Sequence, residues 1–222
     1  MTTWLDTLIG SERKVYSQCG EEGVILAILA AIGPGDRFLV DVGAGDGATL
    51  SNTKLLIDAG WHGPRFDGAY GGDVHQEYIT AENIVDLLVK HEVPHEPDFL
   101  SLDIDGVDWY VLRAILRAYR PRMFVCEINN SLPIYPAVAV AYDPGFRFSQ
   151  CDYFGASLGA YHDLATHHGY QLVHCMPWNA FFVRRDLLPA GGEPRLAWGP
   201  CPGWPVDPLR RPWVPITAGD LP

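Results

Sequence analysis

The chain has 222 residues and a formal net charge of −11, with 27 acidic against 16 basic side chains. At 48% hydrophobic and 19% charged it is not a disordered chain, and at this length it buries roughly 70% of its unfolded surface without a disulfide or metal staple. The acid excess argues against a nucleic-acid partner, whose affinity comes from Lys and Arg, and no run approaches the roughly 20 apolar residues of a membrane span.

In chain order, strands alternate with helices. Glu21 to Ile32 is apolar at helical spacing and stops at Gly33-Pro34-Gly35. Arg37 to Val42 is a strand, and Ser51 to Ala59 a helix capped by Ser51 and closed by Gly60. Residues 65–67 are a brief strand, and Thr80 caps a helix over 81–91. Phe99 to Ile104 is a strand, Trp109 to Tyr119 a helix, and Met123 to Ile128 a buried strand. Ser157 to His168 is a helix, and Gln171 to Met176 and Asn179 to Arg185 are strands joined too tightly for a crossover, hence antiparallel. The expected fold is α/β and Rossmann-like. A mainly parallel seven-stranded sheet ends in a C-terminal antiparallel hairpin, with helices on both faces.

Residues 1–188 read as one domain. The irregular, aromatic-rich stretch 131–156 is expected to form a lid or substrate insertion. Residues 189–222 hold 9 of the 18 prolines and 3 of the 7 tryptophans, and read as a tail or a strap. The start, Met1-Thr-Thr-Trp-Leu-Asp6, lacks the basic and apolar regions of a signal peptide. Five cysteines (Cys19, Cys126, Cys151, Cys175 and Cys201) form no C-x-x-C pair, so a reducing, cytoplasmic location is expected. The excess of Arg over Lys, with many Ala, Gly and Pro, matches the codon bias of a high-GC bacterial genome.

The strongest site signal is Asp41-Val-Gly43-Ala-Gly45-Asp-Gly47, between a strand and a helix. Its glycines allow a sharp turn and close approach of a ligand, and the next helix offers free N–H groups. Asp67, about 20 residues on, is placed to take both hydroxyls of a ribose. Two cofactor classes suit this pattern. Gly43, Gly45 and Ala48 satisfy the dinucleotide spacing, with a pyrophosphate on the helix N-terminus. Asp41 instead suits the charged amino-acid end of S-adenosylmethionine, and with Asp46 it repels a pyrophosphate. A tight glycine turn that binds nothing is the third reading.

Further motifs add a resemblance. Tyr16-Ser-Gln18-Cys-Gly20-Glu-Glu-Gly23 resembles the opening of FkbM-type methyltransferases, a class I, S-adenosylmethionine-dependent family. So do the glycine loop with Leu50-Ser-Asn52-Thr, Ser101-Leu-Asp103-Ile-Asp105-Gly106, and Asn179-Ala-Phe-Phe-Val-Arg184, over about residues 16–188. The resemblance implies cofactor binding by Gln18, Gly20, Asp41, Gly43, Gly45, Gly47 and Asp67, with the Gln18 segment closing over the cofactor. A packed helix entry is the alternative for Gln18 and Gly20. After Asp67 the chain departs from the family pattern, running Gly-Ala-Tyr-Gly-Gly-Asp73 on the adenine side.

Ligands of such sheets lie beyond the carboxyl ends of the strands. There Asp103 and Asp105 follow one strand, and Glu127, Asn129 and Asn130 another. Strand alternation puts Asp103 and Asp105 on one side. Three readings stand: Asp103 or Asp105 as general base; Mg²⁺ held by Asp103, Glu127 and Asn129, which resembles macrolide-sugar O-methyltransferases; or helix capping and cofactor contact without chemistry. His162 is the imidazole candidate for catalysis. The expected activity is methyl transfer to a small-molecule hydroxyl of a sugar, nucleoside or other natural-product acceptor. The alternatives are N-methylation of a small amine, an NAD-dependent oxidoreductase, and a noncatalytic binding module. Aromatics in the tail make a homodimer reasonable.

Overall fold

The computed structural model describes residues 3–33, 35–190 and 203–221. Part of the expected tail, residues 191–202 with Cys201, lies outside the described residues. The chain forms α1 (Glu21–Ile32), β1 (Leu39–Val42), α2 (Lys54–Asp58), β2 (Arg65–Asp67), β3 (His75–Gln76) and α3 (Ile84–Lys90). It continues through β4 (Phe99–Leu102), α4 (Asp108–Ala118), β5 (Met123–Glu127), β6 (Val138–Ala139) and α5 (Leu158–His167). β7 (Tyr170–Cys175), β8 (Asn179–Arg184) and β9 (Val214–Pro215) complete it.

Seven strands make one sheet in the order β3-β2-β1-β4-β5-β8-β7. The pairs from β3 through β5 are parallel, and β8 runs antiparallel between β5 and β7. This is a Rossmann-like α/β sheet, with the expected antiparallel end. Residues of each central strand alternate between two cores. Val40, Leu100, Phe124 and Phe182 face α3, α4 and α5. Leu39, Phe99, Val125 and Phe181 face α1 and α2. Burial on both faces explains why these strands read as continuous apolar runs.

Several boundaries differ from expectation for local reasons. The Asp98 carboxylate accepts the backbone N–H groups of Gly35, Arg37 and Phe38, and Arg37 has φ 62°, so β1 starts only at Leu39. The Ser51 hydroxyl does accept the Lys54 N–H at 3.0 Å. The first turn is nonetheless not helical, because Thr53 bonds Asp41 and Asn52 bonds Ser101. Thr80 and Asn83 bond each other reciprocally, side chain to backbone, so α3 begins at Ile84. The two-residue strands β3, β6 and β9 have no sequence period to announce them.

The insertion and the described tail form one unit. β9 pairs antiparallel with β6, and the Ile216 N–H donates to the Ala137 carbonyl at 2.8 Å. The Tyr153 hydroxyl donates to the Pro212 carbonyl at 3.0 Å, and the Asp207 N–H to the Asp152 carboxylate at 2.7 Å. Arg211 bonds both Asp207 and Ser149. Residues 203–221 are therefore a strap rather than a free tail. No helix among the described residues is long and apolar enough to cross a membrane, and Cys19, Cys126, Cys151 and Cys175 are free thiols.

Candidate active site

A cavity of about 500 Å³ opens beyond the carboxyl ends of β1, β2 and β4, the position expected for a ligand of this sheet. Its floor is the glycine loop. Gly43 has φ 89°, and a Cβ there would lie 1.5 Å from the Asp103 carbonyl oxygen, so only glycine lets this loop meet the end of β4. The N–H groups of Gly43 and Ala44 both donate to the Phe66 carbonyl, and that of Gly45 donates to the Asp67 carboxylate at 3.0 Å. The helix after the loop starts at Lys54 rather than at the expected Ser51. Residues 48–53 intervene, and α2 is only five residues long.

Asp41, Gly43, Gly45 and Asp67 all line the cavity. Asp41 is 4% exposed and accepts the Thr53 hydroxyl at 2.6 Å. Burial lifts its pKa from 3.8 to about 6, against the pull of the Thr53 bond and of Arg65. Asp67 also accepts the N–H groups of Ala69 and Tyr70. With Gly45, three donors occupy three of its roughly four lone-pair directions, leaving about one for a ligand. Asp46, expected to point a charge into the loop, instead caps Ala48 and Thr49 on the exposed side.

The acids of the other wall come from β4 and the turn after it. Asp103 and Asp105 line the cavity. One oxygen from each of Asp103, Asp105 and Glu127 lies within 4.8 Å of the others. Asp103 and Glu127 lie side by side in this cluster. Burial, then Asp105 and Asp108, push the Asp103 carboxyl well up; burial, then Asp103, does the same to Glu127. Asp105 is raised by burial and by Asp67. Asp108 organises the turn by accepting the N–H groups of Ile104 and Gly106 at 2.8 and 2.7 Å. It was legible only as an acid two residues past Gly106.

Other expected site residues lie elsewhere. The Asn129 amide donates to the Asp152 and Phe154 carbonyls and accepts the Ser131 N–H, so it ties down the insertion; Asp105 takes its place beside Asp103 and Glu127. His162 sits on the outer side of α5, its Nδ1 3.3 Å from Asp163 and 3.4 Å from the Tyr135 hydroxyl, and does not line the cavity. Gln18 is exposed. Gly20, with φ 99°, is packed against the backbone of Arg13 at the start of α1, and Gly47 lies against Arg65. None of these three lines the cavity.

The outer wall is the insertion, through Phe146, Arg147 and Phe148. The Tyr78 hydroxyl donates to the Phe146 carbonyl at 2.6 Å, and the Arg147 guanidinium lies 4.0 Å above the Tyr78 ring. Trp204 of the strap packs edge-on against Phe148, with ring centroids 5.1 Å apart. Among the described residues lining the cavity, Arg147 is the one cation against four carboxylates, Asp41, Asp67, Asp103 and Asp105. Sequence reasoning placed aromatics in this insertion but missed Arg147, which no motif marks.

No protein-family model matches the chain, and no curated protein is significantly similar to it.

Proposed function

We propose that this chain is an S-adenosylmethionine-dependent methyltransferase acting on a hydroxyl oxygen of a small molecule. The observation that carries the reading is the cavity itself, an anionic pocket on a glycine loop with Asp41 buried beneath it. Four carboxylates suit a ligand with a sulfonium and an ammonium group and repel a pyrophosphate. No helix N-terminus follows the loop directly to receive a phosphate, which also disfavours a dinucleotide. The strand order and antiparallel end agree with a class I methyltransferase sheet, as the motif resemblance implies.

The residues present fit such a cofactor. The volume is within the range of small-ligand sites, and Leu50, Ile79, Ile104 and Val107 give it apolar walls. Asp41 and the 43–45 loop would hold the amino-acid end, and Asp67 the ribose. When bound, the cofactor supplies an activated methyl that passes to the acceptor oxygen while the sulfur keeps the electron pair. The hydroxyl proton is left for the protein. Asp103 and Asp105 border the cavity, and burial raises both carboxyls above the ordinary carboxylate range, which makes each a stronger base toward the acceptor hydroxyl. The insertion wall excludes water and orients the acceptor.

Calorimetry with S-adenosylhomocysteine and with NADH tests the reading. Binding of the first and not the second is expected; the reverse overturns it. A mass-shift screen of hydroxylated and amine acceptors then separates O- from N-methylation.

A further inference from the structure

We infer that this protein has a second small-molecule site, on the outer side of α4, which holds the phosphate or carboxylate group of an anionic ligand between Arg113 and Arg117. A cavity of about 350 Å³ lies there, and it shares no lining residue with the cavity at the glycine loop. α4 turns Val111, Leu112 and Ile115 into the core, which leaves Tyr110, Arg113, Ala114 and Arg117 together on its other side. The two arginines are one helical turn apart, and Ala114 is short enough to leave the space beside them open. Glu82, just before α3, and Tyr142 of the insertion close the opposite wall. The Tyr142 hydroxyl donates to the Glu82 carboxylate and accepts the Ala81 N–H at 3.2 Å. The Tyr110 hydroxyl donates to the Val140 carbonyl at 3.0 Å, and the two tyrosine rings lie 4.9 Å apart. The walls are therefore fixed before a ligand arrives.

Two observations point to an anion. Among the described residues, neither guanidinium is paired with a carboxylate, although like charges four apart on a helix repel. Asp220 is near enough to feel the charge of Arg113, but its carboxylate accepts the Thr217 N–H and hydroxyl. The Arg113 Nε is also buried without an acceptor, whereas buried donors are almost always satisfied. This guanidinium lies 5.7 Å from the centre of the Trp109 ring, whose indole N–H is fixed on the Ala160 carbonyl at 3.1 Å. An oxyanion takes parallel N–H bonds from one guanidinium and charge compensation from the other. Two guanidiniums against one lining carboxylate, Glu82, locally reverse the sign of a chain whose net charge is −11. The tyrosines suit a flat body for the ligand, and Glu82 suits a hydrogen-bond donor on it. The site stands independently of the methyl-transfer reading.

The test is ligand-observed proton NMR on the full chain, with phenyl phosphate, phenylacetate and, as the uncharged control, phenol. Saturation transfer to one or both anions at millimolar concentration is expected, and the tighter of the two identifies the anionic group as phosphate or carboxylate. Arg113→Gln and Arg117→Gln should each weaken that binding at least ~10-fold, with circular dichroism unchanged. Arg117 is exposed, so its variant decides the matter if Arg113→Gln does not fold. Arg147→Gln, in the other cavity, should leave anion binding as in wild type. No transfer to either anion overturns the inference, as does equal transfer to phenol or wild-type affinity in Arg117→Gln. Loss of anion binding in Arg147→Gln alone overturns it too, because the anion then sits in the other cavity.

Discussion

Replacing Asp41 by Asn should make the protein more stable and its pocket weaker. The folded state raises this carboxyl from 3.8 to about 6, chiefly by burial. A carboxyl so raised favours the fold below pH 3.8, and that contribution is lost as the pH rises through about 6. By pH 8 the loss reaches ~3 kcal/mol. Asn keeps an oxygen for the Thr53 hydroxyl and carries no charge to desolvate. The variant should therefore gain ~1–3 kcal/mol at pH 8, about half of that at pH 5, and nothing near pH 3. Urea denaturation of both proteins at the three pH values measures this, since other acids titrate alike in the two. Affinity for S-adenosylhomocysteine should fall at least ~10-fold, the usual result of losing a charge-assisted hydrogen bond. A variant less stable than wild type at pH 8, or equally stabilised at every pH, would refute the reasoning.

Further expectations concern the scaffold and its wall. Gly43→Ala forces a Cβ onto the Asp103 carbonyl and should cost more than ~3 kcal/mol by denaturation, with loss of pocket binding. Asp98→Ala removes a buried carboxylate from three backbone N–H groups and Arg122; it should cost ~3–5 kcal/mol, read as a lowered denaturation midpoint. Arg211→Ala breaks the contacts to Asp207 and Ser149, and limited proteolysis should then cut residues 142–148 faster than in wild type. His162→Ala should leave cofactor affinity and turnover unchanged, because the ring faces Asp163 and Tyr135 on the outside of α5.

The sheet was legible because its central strands are buried on both faces and read as unbroken apolar runs. What escaped was whatever depends on contacts distant in sequence. β6 and β9 pair across 75 residues of chain, Ala139 with Val214. Strand alternation put Asp103 and Asp105 together, but the reason was wrong: β4 ends at Leu102, and a left-handed residue in the following turn brings the second acid back. The same rule failed for Asn129, because β5 ends at Glu127 and the chain turns into the insertion. Asp41 was recognised from its place before the glycines. Its bond to Thr53, which shortens α2, was not visible in any local pattern.

The strap has a consequence for how this molecule can change over time. The sheet supplies the floor of the cavity, where Gly43 tolerates no side chain and Asp41 is locked to Thr53. The wall is supplied by Phe146, Arg147 and Phe148, held in place by a segment from the other end of the chain. Floor and wall thus answer to different constraints. Substitutions in residues 146–148, matched by changes around Trp204 and Arg211, can reshape what the pocket admits without disturbing the sheet. A fixed floor and an adjustable wall are thus separately variable parts of one cavity.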